Sequence, residues 1–179
     1  DNFYGKFEIE PLERGFGTTL GNALRRVMLS SLPGDAITSI KIDGVAHEFQ
    51  KLDGVIEDVT AIVLNVKSIV LKNHSDDYDK ILRVSAVGPC VVTAGDIEKD
   101  ADLEIFNPEL VIATLAEGGS FNMEMTIANG RGYTRSEENK ETFKNNKMNV
   151  IAVDSLYSPI ERINYEVESA RVGQNNNYD

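Results

Sequence analysis

The groups able to do acid–base or metal chemistry are few in this chain. There are two histidines, His47 and His74, and one cysteine, Cys90. His47 lies in a strand-like pattern beside Glu48, where a structural histidine fits better than a general base. The runs Asp76-Asp77-Tyr78-Asp79 and Asp96-Ile97-Glu98-Lys99-Asp100-Ala101-Asp102 gather carboxylates of the kind a divalent cation needs. Neither has the glycine and terminal glutamate spacing of an EF-hand loop, so both read as solvated acidic loops. Cys90, followed by Val91 and Val92, reads as a buried small hydrophobe, and a single cysteine excludes an intramolecular disulfide framework. There is no Ser-His-Asp signature, no Cys-His metal spacing and no phosphate-binding loop. The expectation is a chain with no catalytic residue, no metal ligand and no cofactor of its own.

Charge pairing is the chemistry better represented. Asn22, Arg25, Arg26 and Leu29 recur at helical spacing and share one side of a helix expected over residues 18–32. Thr18 or Thr19 serves as its N-cap and Pro33-Gly34 stops it. Leu20, Leu24, Val27 and Met28 form the opposite stripe, as the core side of an amphipathic helix would. Two readings of the arginine side stand: a solvated face with one isolated leucine, or a second docking surface. Arginine stems supply apolar area and their forked heads pair with carboxylates, which suits an interface. Gly21, inside the helix, costs about 1 kcal/mol relative to alanine, and so points to another backbone passing close by.

These elements sit in an acidic chain of 179 residues with a formal net charge of −11. The excess is concentrated over residues 34–158, with 12 basic and 21 acidic side chains, whereas residues 1–33 are neutral. No segment offers the basic patch that nucleic acid requires, and no apolar run approaches a membrane span. Phe3, Phe7 and Ile9 alternate with polar residues as a half-buried strand would. Residues 36–43 and 45–49 read as two strands of a hairpin turning at Asp43-Gly44. Ile56, Val59, Val63, Val66 and Val70 recur at helical spacing, giving a helix that ends near Ile69. Short strands are then expected over 81–87, 91–94, 103–106, 110–115, 121–127 and 150–153, and again where Ile163, Tyr165 and Val167 alternate. Gly130-Arg131-Gly132-Tyr133, a single copy in acidic surroundings, reads as a turn rather than an RNA-binding element. The asparagine-rich residues 173–179 read as a frayed end.

The run Pro11-Leu12-Glu13-Arg14-Gly15-Phe16-Gly17-Thr18-Thr19-Leu20-Gly21-Asn22-Ala23-Leu24-Arg25-Arg26 resembles the amino-terminal domain of bacterial RNA polymerase alpha subunits. The resemblance continues in the same order through Ser39-Ile40-Lys41-Ile42-Asp43-Gly44-Val45-Ala46-His47-Glu48-Phe49, Glu57-Asp58-Val59, Leu64-Asn65-Val66-Lys67, Gly130 to Tyr133, and Tyr157-Ser158-Pro159-Ile160-Glu161-Arg162-Ile163. It covers nearly the whole chain; residues 74–79 and 135–149 match poorly, as variable loops would.

The resemblance implies an α+β fold in which a mainly β insert subdomain, residues 34–158, interrupts a dimerisation subdomain of helices on an antiparallel sheet. The latter is made of residues 1–33 and 159–179. The family continues it with a strand ahead of Asp1 and a long helix beyond Asp179, so it is expected to be truncated at both ends. The implied role is a non-catalytic assembly scaffold of DNA-directed RNA polymerase, cytoplasmic and nucleoid-associated within that enzyme. Two alpha chains form a homodimer, one recruits the beta subunit, and beta-prime then docks; the catalytic magnesium belongs to the large subunits. Arg26 and Leu29, with Arg25 in support, are the implied beta-facing residues. Leu20, Gly21, Leu24 and Met28 are implied for the dimer interface, and Asn65, Lys67, Val153, Asp154 and Ile160 for further large-subunit contacts. No direct nucleic-acid or membrane contact is implied. Two rival readings stay open: an archaeal or eukaryotic-type scaffold that pairs as a heterodimer, which the Asn22-to-Arg26 and Gly130-to-Tyr133 blocks argue against, and a carboxylate- and metal-dependent enzyme, which metal titration would reveal.

Overall fold

The computed structural model describes residues 3–142 and 148–179. Along the chain run α1 (Phe16–Ser30), β1 (Pro33–Ile42), α2 (Val59–Lys67), β2 (Leu71–Asn73), β3 (Ile81–Val87) and β4 (Cys90–Thr93). A short 3-10 turn, Ala94–Asp96, precedes β5 (Leu103–Ile105), β6 (Val111–Leu115), β7 (Ser120–Arg131), β8 (Tyr133–Thr134) and α3 (Ser136–Thr142). The last strands are β9 (Ile151–Ala152), β10 (Ser155–Leu156), β11 (Ala170–Val172) and β12 (Asn175–Tyr178). The fold is α+β, in two compact units: Asp1–Ser31 with Ile160–Asp179, and Leu32–Pro159.

The second unit is built around β7. Phe121, Met123, Met125 and Ile127 alternate with polar residues, so one face of the strand is buried and the other is not. It pairs antiparallel with β3 on one side and β1 on the other, in a sheet of order β3-β7-β1-β9. In β1, Ala36 to Ile40 are buried in succession, with a register shift between Ile37 and Ser39. α2 contributes Val59, Ile62 and Val66 to the same core, and Asp58 caps it by accepting the Ala61 N–H at 2.8 Å. Gly34 and Gly130 are cross-strand partners in β1 and β7. A Cβ on Gly34 would run into the Tyr157 carbonyl, and one on Gly130 into the Tyr157 ring, so both positions exclude a side chain.

Two sequence expectations in this unit are corrected. Residues 45–49 are not the second strand of a hairpin. Gly44 does turn, at φ 82°, but the Gln50 carboxamide oxygen then accepts the N–H groups of Ala46 and His47, which removes them from any ladder. The hairpin partner of β1 is instead β7, some eighty residues later. The α2 helix is also shorter than its valine spacing suggests, because Glu57 points to β6: its two carboxylate oxygens accept the N–H (2.6 Å) and hydroxyl (2.9 Å) of Thr114. Gly130-Arg131 closes β7, and the turn falls at Gly132, φ 67°. The variable stretch expected over 135–149 forms α3 at its start, and residues 143–147 lie outside the described residues.

In the first unit, residues 4–12 form no strand, and Phe3, Tyr4, Phe7 and Ile9 are exposed. Alternation alone cannot make a strand without a neighbouring ladder to receive its backbone. Residues 163–167 are likewise outside any strand; Tyr165 and Val167 spend their side chains on α1. The tail is not frayed. Gly173, at φ 63°, turns the chain so that β12 pairs back on β11, and Glu13 bridges to Tyr178.

Candidate assembly surfaces

The groups weighed for catalysis are scattered. His47 is exposed, its Nδ1 accepting the Phe49 N–H at 3.2 Å, and His74 pairs with Glu104 at 2.8 Å on the surface. Cys90 is half-buried beside the Val87 carbonyl. Among the described residues no three His, Cys, Asp or Glu side chains are placed to hold a metal ion. The acidic loop over 76–79 is organised by its own neighbours. Asp35 accepts the Asn73 N–H (2.7 Å), the Tyr78 hydroxyl (2.8 Å) and the Asn129 amide (2.9 Å).

α1 carries the other candidates, and its environment differs from the sequence expectation. No residue of α1 is buried, so Leu20, Leu24, Val27 and Met28 do not serve as a core stripe within this unit. Leu24 is 39% exposed and Val27 51%. Gly21 is close-packed, but by this chain's own Tyr165: a Cβ there would lie 2.5 Å from the ring, whose hydroxyl donates to Asn22 at 2.9 Å. It is a side chain that passes, not a second backbone. Arg25 and Arg26 are exposed and Leu29 half-buried; among the described residues neither arginine forms an ion pair. The Thr18 and Thr19 hydroxyls do not cap the helix. Both residues lie inside it, and Thr19 donates back to the Gly15 carbonyl at 3.3 Å.

Of the five weaker candidates, the fold brings two into contact. Lys67, at the end of α2, places its Nζ 3.3 Å from Asp154 and 5.4 Å from the centre of the Tyr133 ring. Asp154 also accepts the Ser136 N–H at 2.8 Å, at the start of α3. The Tyr133 hydrogen bond, opposed by burial and reinforced by Ser136 and Lys67, holds the Asp154 carboxyl below the usual range. The same bond and burial push the Tyr133 hydroxyl up. Burial pulls Lys67 down, but Asp154 and Tyr133 together outweigh it and leave its ammonium above the ordinary lysine value. Asn65 faces inward, its amide donating to the Ile112 carbonyl at 3.0 Å. Val153 is 0% exposed, and Ile160 belongs to the other unit. Tyr133 had no assigned role in sequence; only its place in the Gly130 to Tyr133 block marked it.

Because its folded value is depressed, Asp154 stabilises the fold above its unfolded value of about 3.9 and loses that contribution as pH falls through the folded value. Asp154→Asn is therefore expected to lower stability near neutral pH by up to about 1 kcal/mol, the range of partly exposed pairs. The gap to wild type should close in acid. Urea denaturation at stepped pH checks it; a gap that widens in acid would contradict the assignment.

Comparison with known proteins gives a consistent kinship. The family model described as RNA polymerase Rpb3/RpoA insert domain matches residues 40–158. The chain is 58% identical over all 179 residues to the DNA-directed RNA polymerase subunit alpha of Symbiobacterium thermophilum, covering 56% of it. It is 54% identical over the same length to the protein of that name from Leuconostoc mesenteroides, covering 57% of it. It spans a little over half the length of these relatives.

Proposed function

Because the chain belongs to the RNA polymerase Rpb3/RpoA insert-domain family, we propose that it acts as the assembly-scaffold part of a bacterial alpha subunit. In this reading the unit Asp1–Ser31 with Ile160–Asp179 is the dimerisation subdomain, and Leu32–Pro159 is the insert. Two copies form a homodimer that recruits the beta and then the beta-prime subunit. The chain itself carries no catalytic group, metal or cofactor, and the magnesium chemistry resides in the large subunits. It works in the cytoplasm, through protein partners rather than nucleic acid or membrane. An acidic net charge supports the preference for protein partners, and among the described residues no helix is long and apolar enough to cross a membrane.

One observation carries the reading. Every buried hydrophobic residue among those described lies in Leu32–Pro159; the other unit contributes none. Its Phe16, Leu24, Val27, Tyr165 and Val172 are all exposed. A unit with apolar side chains and no core of its own completes its burial against another molecule, and a two-fold dimer offers each copy the same surface. Leu24, Leu20 and Met28 are assigned to that interface, and Arg25, Arg26 and Leu29 to the beta-facing side. Identical arginine faces on a two-fold dimer then meet different large subunits, one copy each.

The test is sedimentation of the full alpha protein. Wild type is expected to be dimeric at micromolar concentration, and Leu24→Glu to weaken the dimer at least tenfold by placing an unpaired charge in an apolar contact. A Leu24→Glu protein that remains as tight a dimer as wild type would remove Leu24 from the interface.

A further inference from the structure

α1 is capped by a residue 164 positions further along the chain than Gly15. Gly15, the residue ahead of the helix, sits at φ 91° and gives no side-chain cap, and the first turn holds no acidic residue. The Asp179 carboxylate fills that place. Its Oδ2 accepts the Gly15 N–H at 2.6 Å and the Gly17 N–H at 3.3 Å. The backbone holds it there: Leu12 and Asp179 exchange both N–H···O bonds at 2.8 Å, and Arg14 donates to Asn177 at 3.1 Å. The two glycines fit the same arrangement. Gly15 adopts a left-handed conformation, and a Cβ on Gly17 would lie 2.7 Å from Val167 and 3.2 Å from the Asp179 Cβ. All of Leu32–Pro159 separates cap from helix in sequence.

We propose that Asp179 is a positioning residue for large-subunit recruitment: by capping α1 it anchors the first turn of the helix that presents Arg25, Arg26 and Leu29. The inference rests on the scaffold reading above. A helix of fifteen residues is marginal by itself, and most helices gain their stability from packing a buried face. Within its own chain α1 buries no residue, so before it meets a partner the cap is one of the few contacts that hold its first turn. A carboxylate at the N-terminus both accepts otherwise unpaired N–H groups and meets the positive end of the helix dipole.

The experiment uses the full alpha protein with co-expressed beta and beta-prime, and compares wild type with Asp179→Ala and Asp179→Asn. Hydrogen exchange is read in the peptide over residues 15–20 and in β7, and capture of the large subunits is titrated. Asp179→Ala is expected to speed exchange over 15–20 and weaken capture about fivefold, with β7 unchanged. Asp179→Asn keeps an accepting oxygen and should restore most of both. Faster exchange with undiminished capture overturns the proposal, as does unchanged exchange. If Asp179→Ala also loosens β7, the decision passes to Asp179→Asn, whose failure to restore capture overturns it. A wild-type protein that captures no large subunit defeats the scaffold reading instead, and unchanged exchange over 15–20 in Asp179→Ala would then still defeat the cap.

Discussion

Phe121→Ala is expected to destabilise the Leu32–Pro159 unit by about 3–5 kcal/mol, the usual cost of emptying a phenylalanine site that cannot collapse. Phe121 is 0% exposed on the buried face of β7, paired across the ladder with Ala86 of β3. Its neighbours on that face are Met123 and Met125, themselves almost fully buried. Two flanking strands fix the backbone of β7, which limits how far the core can close over the gap. Urea denaturation followed by near-UV signal reads the loss. The same mutant also tests the division of labour between the units. No residue of α1 belongs to this core, so sedimentation of the mutant full alpha protein below its unfolding midpoint should still give a dimer. Loss of the dimer in parallel with the core would mean that the two units are one cooperative structure, and the proposed subdomain boundaries would fall with it.

Strict alternation and helical period are local properties of this sequence, and the elements they govern can be read from it. β7 was legible because its alternation is strict over residues 121–127, and β3 because Leu82 and Val84 alternate in the same way. α1 was legible from its period, but the period also promised a buried stripe of Leu20, Leu24, Val27 and Met28, and within this chain no side of the helix is buried. What was not legible depends on partners distant in the chain. The Asp43-Gly44 turn is real, yet a single carboxamide, Gln50, turns the following segment away from pairing. Thr18 and Thr19 are good caps by residue type, but Asp179 holds the position from 164 residues away. The asparagine-rich tail has no periodicity because a short hairpin stabilised by backbone bonds needs none. Asn65 and Lys67 are two residues apart on a helix and so do not share a face: one turns to the Ile112 carbonyl and the other to Asp154. The Lys67–Asp154–Tyr133 contact joins three separate segments, and no spacing rule anticipates it.

Arg26→Ala is expected to weaken recruitment of the beta subunit about thirtyfold, roughly 2 kcal/mol, while changing stability by only about 0.5 kcal/mol. The asymmetry follows from where the side chain sits. Arg26 is exposed on α1, whereas this chain's own Val167 and Tyr165 pack over Gly17 and Gly21. It forms no ion pair among the described residues, so its removal strands no carboxylate. Its carbonyl still accepts the Ser30 hydroxyl at 2.6 Å, a bond that alanine keeps. Alanine is also at least as good a helix former as arginine, so the helix loses nothing by the change. A docked guanidinium is different: it forms forked hydrogen bonds to carboxylate or carbonyl groups that are desolvated by the contact, and truncation leaves the partner's groups unpaired. Thermal melts and a titrated pull-down with beta should be run on one preparation of the mutant full alpha protein, beside Glu10→Ala, an exposed charge outside any helix. A sharp drop in melting temperature would mean that Arg26 is structural. Undiminished capture of beta would mean that the large subunit docks elsewhere, and the arginine side of α1 would revert to a solvated face.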